Sequence, residues 1–319
     1  MTNRQPALEK RKDEDMAEPH VVKPDLAARI EGIDAARPDP QDIAFLRASL
    51  QRYPVVVLPD QHLSEEDQLA FGRLFGELDR YDYASDDYNP GQRAEILSVS
   101  NAEEGETPAE ALSRRRMLDL GNKLWHSDSS FKQIPAHLSM LYGVRVTTQG
   151  GETQFADLRA GYDALDPDMQ RLIEGLVAEH SIVHSRSALG FDDWNAEFRS
   201  RYGAWAAHPI VRTLPETGRK TLYLSAHASH IVGLPVPIGR MLLHELTEAA
   251  TAPDMVYTHH WTERDLVIWD NRCTMHRLRR YRASAEPRTL RRVTTTAPEF
   301  PAVDPATVTV PDWVLDEAA

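Results

Sequence analysis

In the stretch Leu124-Trp125-His126-Ser127-Asp128-Ser129-Ser130-Phe131, an imidazole and a carboxylate stand one residue apart. Side chains of an extended chain alternate between its two faces, so His126 and Asp128 share a face and can take two adjacent corners of one metal ion. A third donor is needed. His276, in Trp269-Asp270-Asn271-Arg272-Cys273-Thr274-Met275-His276, is the best candidate for it. Two histidines and one carboxylate, with the other positions open, form the donor set of non-haem Fe(II) oxygenases. A His-x-Asp or a single histidine is by itself an ordinary surface feature, so the weight rests on the residues that accompany them.

After His276 the chain carries Arg277, Arg279, Arg280, Arg282, Arg288, Arg291 and Arg292. In a chain of formal net charge −13, such a local cluster is either a solvated face or a site for an anion. Arg288 and Arg292 are four apart in a segment that reads as strand, and therefore share a face. A guanidinium there can form a bidentate pair with a carboxylate, as the far carboxylate of an α-keto acid would require. Thr153 offers a hydroxyl to a carboxylate, though threonine is also a common strand residue. Of the remaining histidines, His227 and His230 in Ala226-His227-Ala228-Ser229-His230 are the two to follow. Trp125 and Trp269 read as core beside the metal strands, or as walls of the site.

The elements that must position these groups are mostly short strands. Pro54-Val55-Val56-Val57-Leu58-Pro59 is a buried strand between prolines. Ser64 opens a helix bearing Leu69, Phe71, Leu74 and Phe75, which Gly76 ends. Further strands are expected at 96–101, 137–144, 150–157, 222–224, 255–261, 265–269 and 292–296. A second helix starts at Asp166-Pro167-Asp168. A third covers 238–250 with Met241, Leu242, Leu246 and Ala249 inward, and residues 186–207 read as a long loop or lid. Many short strands with helices set aside predict a mainly β fold with flanking helices, built on a double-sheet barrel of jelly-roll type. Its mouth is a familiar place for a small-molecule site.

Composition narrows the class. At 41% hydrophobic and 27% charged residues, the 319-residue chain is an ordinary globular one. The negative charge argues against nucleic acid or an anionic membrane as partner. One cysteine, Cys273, excludes an intramolecular disulfide and suits a reducing cytoplasm. Residues 1–20 read as a polar disordered tail without a signal peptide, and no run reaches the roughly 18 apolar residues of a membrane span. With no linker or repeat beyond it, residues 21–319 read as a single domain.

Taken together, four stretches resemble the taurine dioxygenase/2,4-dichlorophenoxyacetate dioxygenase (TauD/TfdA) family, closest to the 2,4-dichlorophenoxyacetate branch. They are 124–131, 150–165, 227–243, and 269–276 with the arginine-rich strand after it. The resemblance spans nearly all of the chain from about residue 25. It implies a double-stranded β-helix (jelly-roll, cupin-like) core and a dioxygenase that uses Fe(II), 2-oxoglutarate and O2. His126, Asp128 and His276 would be the iron ligands. Thr153 would hold the 2-oxoglutarate carboxylate near the metal and Arg288 the distal one, with Trp269 beside the co-substrate. Arg292 would face the co-substrate or an acidic group of the substrate, while Asn101 and His230 would line the substrate pocket. Close relatives are commonly homo-oligomers.

Two departures stand out. The interval from His276 to Arg288 is one residue longer than in the family, so the loop between them must bulge. In the acidic, aromatic loop 80–89, Ala84 stands where phenoxyacetate-degrading relatives carry a lysine, with Arg80 as its only nearby replacement. The expected reaction hydroxylates a small organic substrate such as an aryloxyalkanoate, with possible ether cleavage, and releases succinate and CO2. Alternatives are the same chemistry on a neutral heterocycle, amine or sulfonate, and, further off, a metal-dependent hydrolase or a non-catalytic metal-binding jelly roll.

Overall fold

The computed structural model describes residues 18–81, 93–102, 119–191 and 203–318, with Trp194, Ala196, Arg199 and Ser200. The tail through residue 17 and loop residues 82–89, Ala84 included, lie outside them.

The larger sheet has seven strands in the order Pro19–Lys23, Ala27–Ile30, Val55–Leu58, Leu266–Asp270, Ala136–Arg145, Thr289–Thr296 and Leu97–Ser100. Its pairings are antiparallel except for Ala27–Ile30 against Val55–Leu58. Both faces are covered, which is why the valine run at 55–57 is apolar throughout. Val56, Leu58, Met140, Leu266 and Ile268 pack with Leu46, Leu50 and Phe71 of the helices Pro40–Arg52 and Glu65–Arg73. Val55, Val57, Leu141, Val267, Trp269 and Leu290 point the other way and meet Phe155 of a second sheet. That sheet runs Val256–His259, Thr153–Asp157, Thr274–Leu278. The two sheets make the jelly roll, and the space between them opens at one end into the site.

The period of two decides which arginines reach that space. Arg292 stands opposite Leu141, an inward residue, and Thr294 opposite Ser139. Arg291, one place along, turns outward and donates to Gln68 Oε1 at 2.7 Å and to the carbonyls of Leu63 and Ser64. A third sheet, Ala228–Ile231, Val177–His180 and Ala206–Pro209, packs under the helix Val236–Ala250.

Several sequence expectations shift. The strand Pro19–Lys23 begins inside the stretch read as tail. The helix capped by Ser64 ends at Arg73 rather than Gly76, because the Leu74 and Phe75 amides bond back three residues in a tightened last turn. The strand expected at 222–224 is Lys220–Leu222. In Val236–Ala250 the inward stripe is Gly239, Leu242, Leu243, Leu246 and Ala250. Met241, off that 3.6-residue spacing, is 65% exposed. Among the described residues no helix is long and apolar enough to cross a membrane.

Candidate active site

His126 and His276 are brought face to face by a pair of backbone hydrogen bonds, His126 N–H to His276 C=O at 3.0 Å and the reverse at 2.9 Å. Their rings lie 4.2 Å apart between centroids. The chain then turns at Ser129, whose φ of 51° is left-handed, and Asp128 swings onto the same side. Its peptide N–H donates to Asn271 Oδ1 at 3.1 Å.

All three side chains are buried, and their ligating atoms lie within 4.8 Å of one another. The His126 Nε2 to Asp128 Oδ1 gap is 3.9 Å and the His276 Nε2 to Asp128 Oδ2 gap is 3.8 Å. Complementary buried groups at those separations are too far apart for a hydrogen bond and leave room for one shared cation. His126 Nδ1 donates to the Leu124 carbonyl at 2.8 Å, so Nε2 keeps its lone pair for a metal. Burial holds both imidazoles below their ordinary range, and hence neutral, as ligands must be. These residues fit a divalent metal with open positions.

Asp128 is a carboxylate at neutral pH for identifiable reasons. Burial alone would raise it; Arg292, then His276 and His126, then the Ser139 hydroxyl overcome that and hold it at about 2. Arg292 Nη1 donates to Oδ1 and Ser139 Oγ to Oδ2, the latter at 2.7 Å. Ser139 in turn accepts from Asn271 Nδ2 at 2.9 Å, and Trp269 Nε1 donates to Asn271 Oδ1 at 3.0 Å. Trp269 thus stands behind the carboxylate as well as 4.7 Å from the His276 ring.

The cleft over the triad has two lobes that meet at His126, Asn122, Val99 and Arg292. The first, about 400 Å³ of empty space, is lined by Thr153, Trp269, His276, Leu290 and Arg288. Arg288 is 3% exposed, and among the described residues its guanidinium donates to the Gly151 carbonyl alone, at 3.0 Å. Burial pulls it down to about 10, against Tyr281, Asp119 and Glu152. It is still a cation at neutral pH, and a desolvated one. Gly151, at φ +75°, is where a Cβ would come within 3.1 Å of Arg288 Nε. Thr153 Oγ1 accepts from Trp261 Nε1 at 2.9 Å, so its own proton is left for an acceptor in the lobe. Trp261→Phe should raise the apparent KM for 2-oxoglutarate by about 3- to 10-fold with the melting temperature little changed. An unchanged KM would mean that Trp261 does not orient Thr153.

The second lobe, about 570 Å³, is lined by Leu97, Asp119, Asp128, Phe131, Ile182, Arg186 and His227 among others. His227 rather than His230 is in it, edge-on to Phe131 at 5.0 Å and to His126 at 6.2 Å. His230, an odd number of residues away in an extended segment, faces outward to Glu179 (3.0 Å) and Trp205. Asn101 is not in the cleft either. Its amide donates to the Ala283 and Glu286 carbonyls and accepts from the Arg288 N–H at 2.6 Å. It pins the loop that delivers Arg288. A separate cavity beside Arg47, His137 and Glu216 contains none of the triad, and its Arg272 is paired with Asp270, Glu216 and Glu299.

Sequence reasoning missed Ser139, Asn271, Trp261, Arg186 and Asn122. Only Asn271, two residues past Trp269, carried a local hint. The rest reach the site from parts of the chain that no motif joins.

Comparison with known proteins agrees with this geometry. Residues 19–294 match the family model described as taurine catabolism dioxygenase TauD, TfdA family. The chain is 43% identical over 279 residues to an alpha-ketoglutarate-dependent 2,4-dichlorophenoxyacetate dioxygenase of Cupriavidus pinatubonensis, covering 86% of this chain and 96% of that one. It is 36% identical over 260 residues to an (S)-phenoxypropionate/alpha-ketoglutarate-dioxygenase of Sphingobium herbicidovorans, covering 79% and 85%. The solved structure of AAD-2 with Mn(II) and N-oxalylglycine superposes with a TM-score of 0.82 at 41% identity, covering 90% of this chain and 99% of that one. A buried His-Asp-His triad at the mouth of a jelly roll, in a chain so matched from end to end of the fold, makes this protein a member of the TauD/TfdA family, an Fe(II)- and 2-oxoglutarate-dependent dioxygenase.

Proposed function

We propose that this enzyme hydroxylates an aryloxyalkanoate at the carbon bearing the ether oxygen. The observation that carries the reading is the second lobe, where an apolar and aromatic wall (Leu97, Phe131, Ile182) adjoins the triad and a guanidinium. An aryl ring bound to a short carboxylic acid has that same division. The names of the relatives, which concern dichlorophenoxyacetate and phenoxypropionate, support the class.

His126, Asp128 and His276 would hold the iron, which when bound supplies oxygen activation coupled to oxidative decarboxylation of 2-oxoglutarate to succinate and CO2. Arg288 would pair with the distal carboxylate of 2-oxoglutarate, and Thr153 would donate to the carboxylate nearer the metal. Trp269 and Leu290 would wall the co-substrate lobe from water. Phe131 and His227 would set the aryl ring so that one C–H faces the triad. Oxygen insertion into that bond gives a hemiacetal, whose collapse yields a phenol and a 2-oxo acid. Hydrolase and non-catalytic readings leave the Thr153–Arg288 lobe without a role.

The test is stoichiometry with phenoxyacetate in the Fe(II)-loaded enzyme. One O2 consumed and one succinate formed per phenol released supports the reading. Succinate formed at the same rate with and without phenoxyacetate, and no phenol, would redirect the search to another substrate.

A further inference from the structure

Arg186 is 9% exposed in the last turn of the short helix Ile182–Ser187, and it lines the second lobe. Among the described residues its side chain makes one hydrogen bond, a long one of 3.4 Å to Ser185 Oγ, and has no carboxylate within ion-pair distance. Of the other buried guanidinia outside the 2-oxoglutarate lobe, Arg159 has Asp157, Arg272 has three carboxylates and Arg292 has Asp128. Arg212, whose guanidinium nitrogens have no hydrogen-bond partner among the described residues, lies 3.4 Å over the Tyr223 ring and lines neither lobe. A buried cation with no counter-charge is costly unless a ligand completes it.

The chain also reserves a place for this guanidinium. A Cβ at Gly121 would fall 1.9 Å from Arg186 Cζ, 2.0 Å from Nη1 and 2.4 Å from Nε. Gly121 does not have a positive φ, so it is the close approach that requires glycine here. It belongs to the turn Leu120–Lys123, whose next residue on the cleft side, Asn122, touches both lobes. Asp119 lies on the same rim.

We propose that Arg186, seated on Gly121, reads the anionic group of the substrate, in place of a lysine in the 80–89 loop. Arg292, which lines the same lobe, already donates to the Asp128 carboxylate through Nη1. The ligand is an organic acid with an apolar ring: carboxylate on Arg186, ring against Phe131, Ile182 and His227. This rests on the aryloxyalkanoate reading and adds to it a named specificity residue.

The experiment compares phenoxyacetate with neutral phenoxyacetamide, by anaerobic calorimetry on enzyme loaded with Fe(II) and 2-oxoglutarate, and by kcat and KM. Wild type should prefer the acid. Arg186→Met should weaken phenoxyacetate on the order of 100-fold while leaving the amide and the KM for 2-oxoglutarate near wild type. Arg186→Lys should recover part of the preference, and Gly121→Ala, which displaces the guanidinium without deleting it, should lose part. If Arg186→Met keeps the preference, Arg186 is not the reader, although the aryloxyalkanoate reading stands. If wild type shows no preference, both fall together. Equal loss of acid, amide and 2-oxoglutarate would make Arg186 a structural residue and overturn the proposal.

Discussion

Asp128→Ala is expected to abolish Fe(II) binding and turnover together, with kcat/KM for any substrate down by at least about 1000-fold. The carboxylate is the one anionic ligand of the triad and is already ionised, held at about 2 by Arg292 against its own burial. It also faces both His126 and His276, each less than 4 Å from it. Its removal takes a counter-charge from Arg292 and an acceptor from Ser139. Breaking a buried ion pair by deleting one partner costs about 3–5 kcal/mol, so the melting temperature should fall as well. The sign of the pH dependence follows from the depressed pKa. The contribution of this pair is complete above the ordinary carboxylate range and is lost only as pH falls through about 2. Iron content after desalting, read with O2 uptake, checks the first part. Stoichiometric iron retained with activity would remove Asp128 from the ligand set.

Arg288→Met carries the second large effect. It should raise the Kd for 2-oxoglutarate by about 30- to 1000-fold, the usual result of truncating one side of a buried charged pair. The loss should be selective. For 2-oxopentanoate, which has the same chain length and no distal carboxylate, wild type and variant should differ by a few-fold at most. Because among the described residues the guanidinium pairs with no carboxylate and bonds Gly151 alone, deleting it removes no buried pair there and the fold should survive. Isothermal titration of both acids into anaerobic Fe(II) enzyme decides it. Equal weakening of the two would show that Arg288 supports the lobe and does not grip the distal carboxylate.

The readable parts of this chain were those in which local pattern and tertiary outcome coincide. The valine run at 55–57 is apolar on every residue because helices cover one face of its sheet and the second sheet the other. His126 and Asp128 stand two positions apart on the segment that pairs with His276 and turns at Ser129, and Arg288, Leu290, Arg292 and Thr294 fall on one side of the strand by the alternation that sends Arg291 outward. What stayed hidden depends on contacts between distant segments. Thr153 meets Trp261 108 residues away. Ser139 meets Asp128 only because its strand lies beside Thr289–Thr296 in the sheet. Gly121 gave no sign of its role, since its glycine answers to a side chain from another element. Asn101 and His230 show the converse: residue type suited a pocket, but backbone carbonyls claimed the amide and strand alternation turned the imidazole away.

The triad and the Thr153–Arg288 lobe are expected to hold Fe(II) and 2-oxoglutarate together, which an anaerobic titration of the full chain with Fe(II) and then 2-oxoglutarate, followed by visible absorption, decides. A metal-to-ligand charge-transfer band should appear, saturate at one iron and one 2-oxoglutarate per chain, be absent in Asp128→Ala, and need far higher 2-oxoglutarate in Arg288→Met. A folded protein that gives no band with both in excess would contradict this expectation.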